Sequence, residues 1–443
     1  MKEFKIEQSD DTIISHSGLS AVGRLIHLTD LKEKLDELGL PAQKNPHINN
    51  SSVIITYMGL LAQAKTNFDD IEEFRNTDHY PLVLGVDKVP SSPTLRQRMN
   101  AAAGNIDHII KEENIALLSA VGDGFTSCYE DYIPLDSDVS IFDNSNTKKE
   151  GVVKTRKGIE GYSPAFSHLG KQGYMINSML RKGSAHTNVG AKEFLKESLD
   201  FAEKLVDKEN ILLRLDAGYD NKDNLGICLN NKNDFIIKRN LRNISKDSIV
   251  SKAKNEGEKI ELREGKTLYR GTYKEEVAEL DTEITVVFAV TEETITEDGE
   301  YRLTPAIEIE QYWTRFEHIE EKPSCKKVLE LYRQRGTSEQ FHSEFKTDMD
   351  LERLPSGRFD TNQLVLFLGM FVYNILRIMG QISLQRQDSP LRGGVQRRRI
   401  RTIIQNLIMI GSKLVKHARQ YILKFGCEAP WFKTFKRVYE AFG

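Results

Sequence analysis

Apolar residues recur at helical spacing along the first part of the chain. Residues 19–40 repeat Leu and Ile every three or four positions, and residues 53–64 are apolar on nearly every face. The first pattern predicts an amphipathic helix and the second a buried one. Together they predict a helical N-terminal region over residues 1–125.

A third helix is predicted to open in residues 91–100, with Ser92 as its cap. Arg96 and Arg98 follow in its first turns. Two interpretations stay open: an ordinary surface helix, or an element that reads DNA.

The pattern changes near residue 126, where short runs of β-forming residues alternate with a helical segment. The segments are 127–144, 174–180, 211–220 and 234–240 for strands and 191–206 for an amphipathic helix. Strands that alternate with helices predict an α/β layer with partly parallel pairing.

Polar and apolar residues alternate with period two in residues 244–315, and acidic turns separate the runs. This spacing predicts a small antiparallel sheet inserted into the α/β domain. From Ser324 to the end the chain is predicted to be helical. The apolar run at 364–376 is too short to span about 30 Å of hydrocarbon, so it predicts a buried core helix.

Composition narrows the class of protein. The chain has 443 residues, of which 39% are hydrophobic and 29% charged, which is ordinary for a globular protein and excludes a mainly disordered or fibrous chain. The first residues contain no apolar stretch, so no signal peptide is expected and a cytoplasmic protein is predicted.

The charge is unevenly distributed. The net charge is −3 overall, but residues 377–443 contain fourteen Lys or Arg against three acids. The densest run includes Arg397, Arg398 and Arg399. Such a run is either a solvated face or a surface for a polyanion, and its density favours nucleic acid.

Four acidic residues stand in positions that suggest chemistry. Asp136 and Asp138 lie two apart in a predicted strand and therefore share a face. Asp216 ends an apolar strand, where a charged residue is rare without a function. Glu339 lies in a predicted helix.

Glu339 shares one helical stripe with three other residues. At about 100° per residue, Tyr332, Arg335, Glu339 and Lys346 fall within an arc of roughly 60°. Gly336 weakens one continuous helix, so a second possibility is a helix that starts at Thr337 with a capping box.

Three converging carboxylates would suit two hard cations, Mg²⁺ or Mn²⁺, that act on a phosphodiester. The alternative is coincidence, because a chain with 65 acidic residues places some of them in suggestive contexts by chance.

The spacing of Tyr332, Arg335, Glu339 and Lys346 resembles the Y-R-E-K motif of DDE transposases from bacterial insertion sequences. Agreement holds at all four positions, and the strands LDSDVS and RLDAGYD resemble the first- and second-aspartate strands of that family. The helix RFDTNQLVLFLGMFVYNIL and the inserted β segment are also similar to the family's arrangement.

The resemblance implies a ribonuclease H-like catalytic domain over residues 126–355, with the β insertion at about 244–315 and a helical basic region at 356–443. The N-terminal region would bind DNA or mediate dimerisation. In the catalytic domain, the resemblance implies that Asp138, Asp216 and Glu339 are the ligands of two Mg²⁺ or Mn²⁺ ions. Asp138 is preferred to Asp136 because Ser140 supplies the hydroxyl of the family pattern.

Further roles are implied by the same resemblance. Tyr332, Arg335 and Lys346 would contact the transposon end, and Arg397, Arg398 and Arg399 would contact DNA. The implied activity is cutting of double-stranded DNA at the ends of an insertion sequence and joining of the 3′ ends to target DNA, by a homodimer at the bacterial nucleoid.

Some alternatives stay open. A ribonuclease H-like nuclease without strand transfer and a catalytically silent DNA-binding regulator fit the same features. Tyr312 and Trp313 are either core residues or a platform that stacks on an extruded base.

Overall fold

The N-terminal region is helical, as its apolar spacing predicts. The computed structural model describes residues 2–40, 47–121, 124–391 and 394–442. The elements of the region are β1 (Thr12–Ile14), α1 (Leu19–Ile26), α2 (Leu31–Glu37), α3 (Asn50–Leu61), α4 (His79–Leu84), α5 (Ser92–Ala102) and α6 (Asp107–Val121). Ser91 rather than Ser92 caps α5, since its side chain accepts a hydrogen bond from the backbone of Thr94.

The predicted α/β layer follows. Its elements are β2 (Ile133–Val139), β3 (Phe142–Asp143), β4 (Val153–Lys154), β5 (Glu160–Tyr162), β6 (Ala165–Leu169), β7 (Tyr174–Met179), α7 (Ala191–Glu203), β8 (Ile211–Leu215), α8 (Lys222–Asn230) and β9 (Asp234–Lys238). The main-sheet strands lie in the order β7-β6-β2-β8-β9, while β3, β5 and β4 form a separate small sheet. β2, β8 and β9 are parallel, and β6 is antiparallel to both β2 and β7. This order and polarity are those of a ribonuclease H-like sheet, which confirms the predicted fold class.

The inserted segment is antiparallel, as predicted, but it is continuous with the main sheet. Its elements are α9 (Lys246–Glu256), β10 (Glu258–Arg263), β11 (Lys266–Val277), β12 (Thr282–Ile295) and β13 (Tyr301–Arg315). β13 pairs with β9, with Trp313 opposite Ile237, so that one sheet of nine strands results.

The segment after the insertion forms α10 (Cys325–Arg333), α11 (Thr337–Ser343) and α12 (Phe359–Leu384). Helix α12 confirms the predicted core helix, because it packs between β7 and the N-terminal helices α3, α5 and α6. It is the one helix in the described ranges that is long and apolar enough to cross a membrane, and 94% of its most apolar window is buried inside the protein. The domain boundaries near residues 125 and 355 stay predictions.

The C-terminal segment is not wholly helical. It contains α13 (Ile400–Ile403), β14 (Ser412–His417), β15 (Gln420–Phe425) and α14 (Phe432–Glu440). The prediction of helix from Ser324 to the end is therefore wrong for β14 and β15. These two strands form a hairpin, and β14 also pairs with β1, with Ile14 opposite Ser412.

Candidate active site

Two of the predicted aspartates lie side by side at the carboxyl ends of two neighbouring strands. β2 and β8 are parallel neighbours with Ser137 opposite Leu215, so Asp138 and Asp216 are the next residues along the two strands. Burial and then the nearby carboxylate of Asp138 raise the pKa of Asp216. Two partly buried acids of the same charge are a costly arrangement that a cation would relieve.

Asp136 is used differently from Asp138. Its two carboxylate oxygens accept hydrogen bonds from Nε and Nη2 of Arg214, at 2.7 and 2.6 Å, and it is 4% exposed. Nη1 of the same arginine donates to the carbonyl oxygen of Leu331, 2.6 Å away. Asp136 therefore fixes the end of α10 against the sheet, whereas Asp138 faces the acid on the next strand.

Arg335 supplies the positive charge next to Asp138. Its Nη2 lies 3.2 Å from Oδ2 of Asp138 and donates to the carbonyl oxygen of Ser137 at 3.0 Å. Burial alone would disfavour the charged guanidinium, but Asp138 and Tyr332 outweigh it and raise the pKa of Arg335. Arg335 is thus held by the end of β2.

The stripe that carries Arg335 is not a single helix. α10 ends at Arg333, a 3-10 turn covers Gln334–Gly336, and α11 begins at Thr337. The second of the two predicted arrangements is therefore present, but without a capping box, because no side chain caps α11.

Tyr332 and Lys346 are held by contacts with neighbouring elements. The ring of Tyr332 contacts Tyr312, with 4.5 Å between the ring centroids, and burial raises the pKa of Tyr332 to about 12. Nζ of Lys346 donates to the carbonyl oxygen of Ile141 at 2.7 Å and pairs with Glu352 at 2.8 Å.

Glu339 lies in the first turn of α11 and is exposed. It makes no hydrogen bond or ion pair with any residue that the structure describes. Among those same residues, no group of three or more His, Cys, Asp or Glu side chains is arranged to hold a metal ion. The structure thus brings Asp138 and Asp216 together, whereas the side chain of Glu339 is exposed on α11.

A cavity of about 600 Å³ opens beside Asp216, and the sequence analysis did not identify its walls. Lys154, Arg156 and Arg242 line it. Arg156 faces Asp216 closely enough to oppose the rise of the pKa of that carboxyl. None of the three basic side chains forms an ion pair within the described part of the chain. In the sequence, the basic run KTRKG at 154–158 is the feature that could have indicated this cavity wall.

The three arginines predicted to contact DNA have partners within the protein, although about half of the Arg399 side chain is exposed. Arg397 pairs with Glu344, and Arg399 donates to both oxygens of Asp348, at 2.7 and 3.0 Å. Arg398 is 6% exposed and donates to Ser383 at 2.9 Å. Arg397 and Arg399 bind the turn that follows α11, whereas Arg398 binds Ser383 at the end of α12. Contact of these three arginines with DNA stays a prediction.

The helix with two early arginines is also explained by internal contacts. Arg98 is 4% exposed and donates to the carbonyl oxygen of Ile48 at 3.1 Å and to the side chain of Asn50. Arg96 pairs with Asp69 at 3.1 Å. Of the two interpretations left open, the ordinary helix fits these contacts.

Tyr312 and Trp313 are core residues rather than a stacking platform. Tyr312 is fully buried and Trp313 is 6% exposed. The indole Nε1 donates to Asp220 at 3.0 Å, and the guanidinium carbon of Arg239 lies 3.9 Å from the centroid of the indole ring. No face of either ring is free for a base.

Comparisons with known proteins identify the family of the chain. Residues 1–442 match the family described as transposase DDE domain group 1. Among solved structures, the chain is similar to a piggyBac transposase, seen by cryo-EM in a synaptic complex with hairpin DNA. The match has 10% sequence identity, covers 89% of this chain and 80% of that chain, and has a TM-score of 0.39. No curated protein matches the chain.

Proposed function

Because the chain belongs to the transposase DDE domain group 1 family, we propose that it is a DNA transposase. It would cut double-stranded DNA at the ends of an insertion sequence and join the 3′ hydroxyl ends to target DNA. The observation that carries the proposal is the pairing of Asp138 with Asp216 next to a basic cavity.

The donor set fits a divalent cation. Asp138 and Asp216 offer hard oxygen ligands, and burial together with the carboxylate of Asp138 raises the pKa of Asp216. We propose Asp138, Asp216 and Glu339 as ligands of two Mg²⁺ or Mn²⁺ ions. Such ions, when bound, stabilise charge on the oxygens of a phosphodiester.

The remaining residues have roles that follow from their contacts. Arg335 orients Asp138 by pairing with it and by binding the end of β2, so it acts as a positioning residue. Tyr332 is close enough to Asp216 and Asp138 to feel their charges, and Lys346 binds the carbonyl oxygen of Ile141, three residues after Asp138. We propose that this hydroxyl and this ammonium group hold a phosphate. Lys154 and Arg156 would hold the DNA backbone on the opposite wall of the cavity.

DNA transposition also implies partners. We propose that two copies of the chain act on paired ends of the element, at the nucleoid in the cytoplasm. The charge of the cavity wall is complementary to duplex DNA, and this complementarity supports DNA as the substrate.

The direct test is cleavage of duplexes that carry the element's own ends, with Mg²⁺ present. Asp216→Asn and Glu339→Gln should abolish cutting and retain DNA binding, while the exposed Asp223→Asn should cut normally. Normal cutting by Asp216→Asn would refute the proposal.

A second assay separates the transposase from the two alternatives. A duplex with a pre-cut 3′ end is supplied together with target DNA. Joining of the end to the target supports the transposase, cutting without joining supports a nuclease, and binding without either reaction supports a silent regulator.

A further inference from the structure

The C-terminal hairpin carries positive charge that the protein does not neutralise. β14, β15 and the turn between them contain Lys413, Lys416, Arg419 and Lys424 and no acidic residue. The arginines at 397–399 also bind acids or hydroxyl groups of the protein, whereas Lys416, Arg419 and Lys424 of the hairpin form no ion pair within the described ranges.

The pairing of the two strands places like charges together. Lys413 is directly opposite Lys424, and cross-strand partners share a face of the sheet. Two cations in this position are mutually destabilising. Asp11 pairs with Lys413 at 2.8 Å, whereas Lys424 has no ion-pair partner within the described ranges. An anion above this face would relieve the repulsion.

The tip of the hairpin adds two exposed cations. Ala418 has a φ of 54°, which closes a two-residue turn and leaves Arg419 exposed at the end of the ribbon. Lys416 is opposite Tyr421, and its Nζ lies 5.5 Å from the centroid of that ring. A two-stranded ribbon of this kind is narrow enough for the major groove of B-DNA.

The face opposite Lys413 and Lys424 carries Lys416 near the tip and is anchored at the far end of the hairpin. The ring centroid of Phe425 lies 5.2 Å from that of Phe435 in α14, and the hydroxyl groups of Ser17 and Ser412 are hydrogen-bonded at 2.6 Å. β1 pairs along the free edge of β14. The charged face is therefore presented by a fixed support.

We propose that the solvent face and tip of this hairpin bind the phosphate backbone of duplex DNA. The inference rests on the proposed function, since the DNA is that on which the transposase would act. The cavity beside Asp216 would hold DNA at the reacting phosphate, and the hairpin would add affinity without reading sequence. Lys416, Arg419 and Lys424 are the exposed contacts.

The test measures how binding of the full-length chain to a random-sequence duplex depends on NaCl concentration. The plot of log K against log salt has a negative slope, and each phosphate contact that is lost should make this slope less steep by about 0.9. The triple variant Lys416→Ala, Arg419→Ala and Lys424→Ala should therefore have a slope that is less steep by up to about 2.7. The charge-preserving set Lys416→Arg, Arg419→Lys and Lys424→Arg should keep the original slope and show that the hairpin itself is intact.

A matched control removes the same charge elsewhere. Lys246→Ala, Lys259→Ala and Lys274→Ala replace three exposed lysines of the inserted segment and should leave the slope unchanged. An unchanged slope in the hairpin variant overturns the inference and leaves the proposed function standing. An equal loss in the control also overturns it, because the effect would then be one of net charge. Failure of the unaltered protein to bind DNA at low salt would overturn both.

Discussion

Nη2 of Arg335 lies 3.2 Å from the carboxylate of Asp138, although the two residues are almost two hundred positions apart in the sequence. The pair joins the turn before α11 to the end of β2. Both side chains are largely buried, so each charge depends on the other.

Replacement of Arg335 by Gln should destabilise the protein by about 3 kcal/mol, because removal of one partner leaves a buried charge without compensation. The free energy of unfolding in urea measures this. The double variant Arg335→Gln with Asp138→Asn should recover most of the loss, since the uncompensated carboxylate is then gone. Equal stability of Arg335→Gln and the double variant would show that the uncompensated carboxylate of Asp138 is not the source of the loss.

Glu344 should be more important for stability than any surface acid. It neutralises Arg377, whose side chain is fully buried, and also binds Arg397. Glu344→Gln should cost about 3–5 kcal/mol, because the guanidinium of Arg377 stays in the interior. Thermal and urea unfolding check this value. Glu279→Gln, which removes an exposed partner of Lys222, is the control and should leave stability unchanged.

Acid should destabilise the fold through His16. Burial lowers the pKa of His16 to about 4 from an ordinary value near 6.5, so the folded state binds fewer protons than the unfolded chain in this interval. Stability is present above pH 6.5 and falls as the pH is lowered towards 4, by up to about 1.4 kcal/mol per pH unit for one histidine.

His16→Phe should reduce that slope, measured as the free energy of unfolding between pH 4.5 and 7. The exposed His108→Gln should leave it as it is. A slope that is the same in His16→Phe as in the unaltered protein would contradict the assignment.

Lys154 and Arg156 should contribute to DNA binding and not to folding. Lys154→Ala and Arg156→Ala remove two exposed cations of the cavity wall that form no ion pair within the described ranges. The salt slope of DNA binding should fall by about 0.9 for each, with unfolding midpoints unchanged. Lys246→Ala is the control. A loss of stability in place of the change in slope would assign the two residues to the fold.

The residues that the sequence identified best are those set by local pattern. Asp138 is the penultimate residue of β2 and Asp216 directly follows the apolar strand β8, so the parallel pairing of the two strands brings both acids to their carboxyl ends. Helix α12 follows equally from its continuous apolar run.

Contacts between segments that are distant in the sequence could not be predicted. Nothing in the run at 397–399 indicates that Arg397 and Arg399 bind Glu344 and Asp348, some fifty positions earlier. Likewise, the burial of Trp313 depends on its neighbours Asp220 and Arg239 from other segments. Local spacing carries no information about such contacts.

The pairing of β1 with β14 has a consequence for biosynthesis. Ile14 pairs with Ser412, so β1 can form its backbone hydrogen bonds only after about four hundred further residues have been synthesised. At about 5–20 residues per second, that delay is on the order of 20–80 s. A nascent chain that stops short of the hairpin leaves the backbone of β1 without its strand partner.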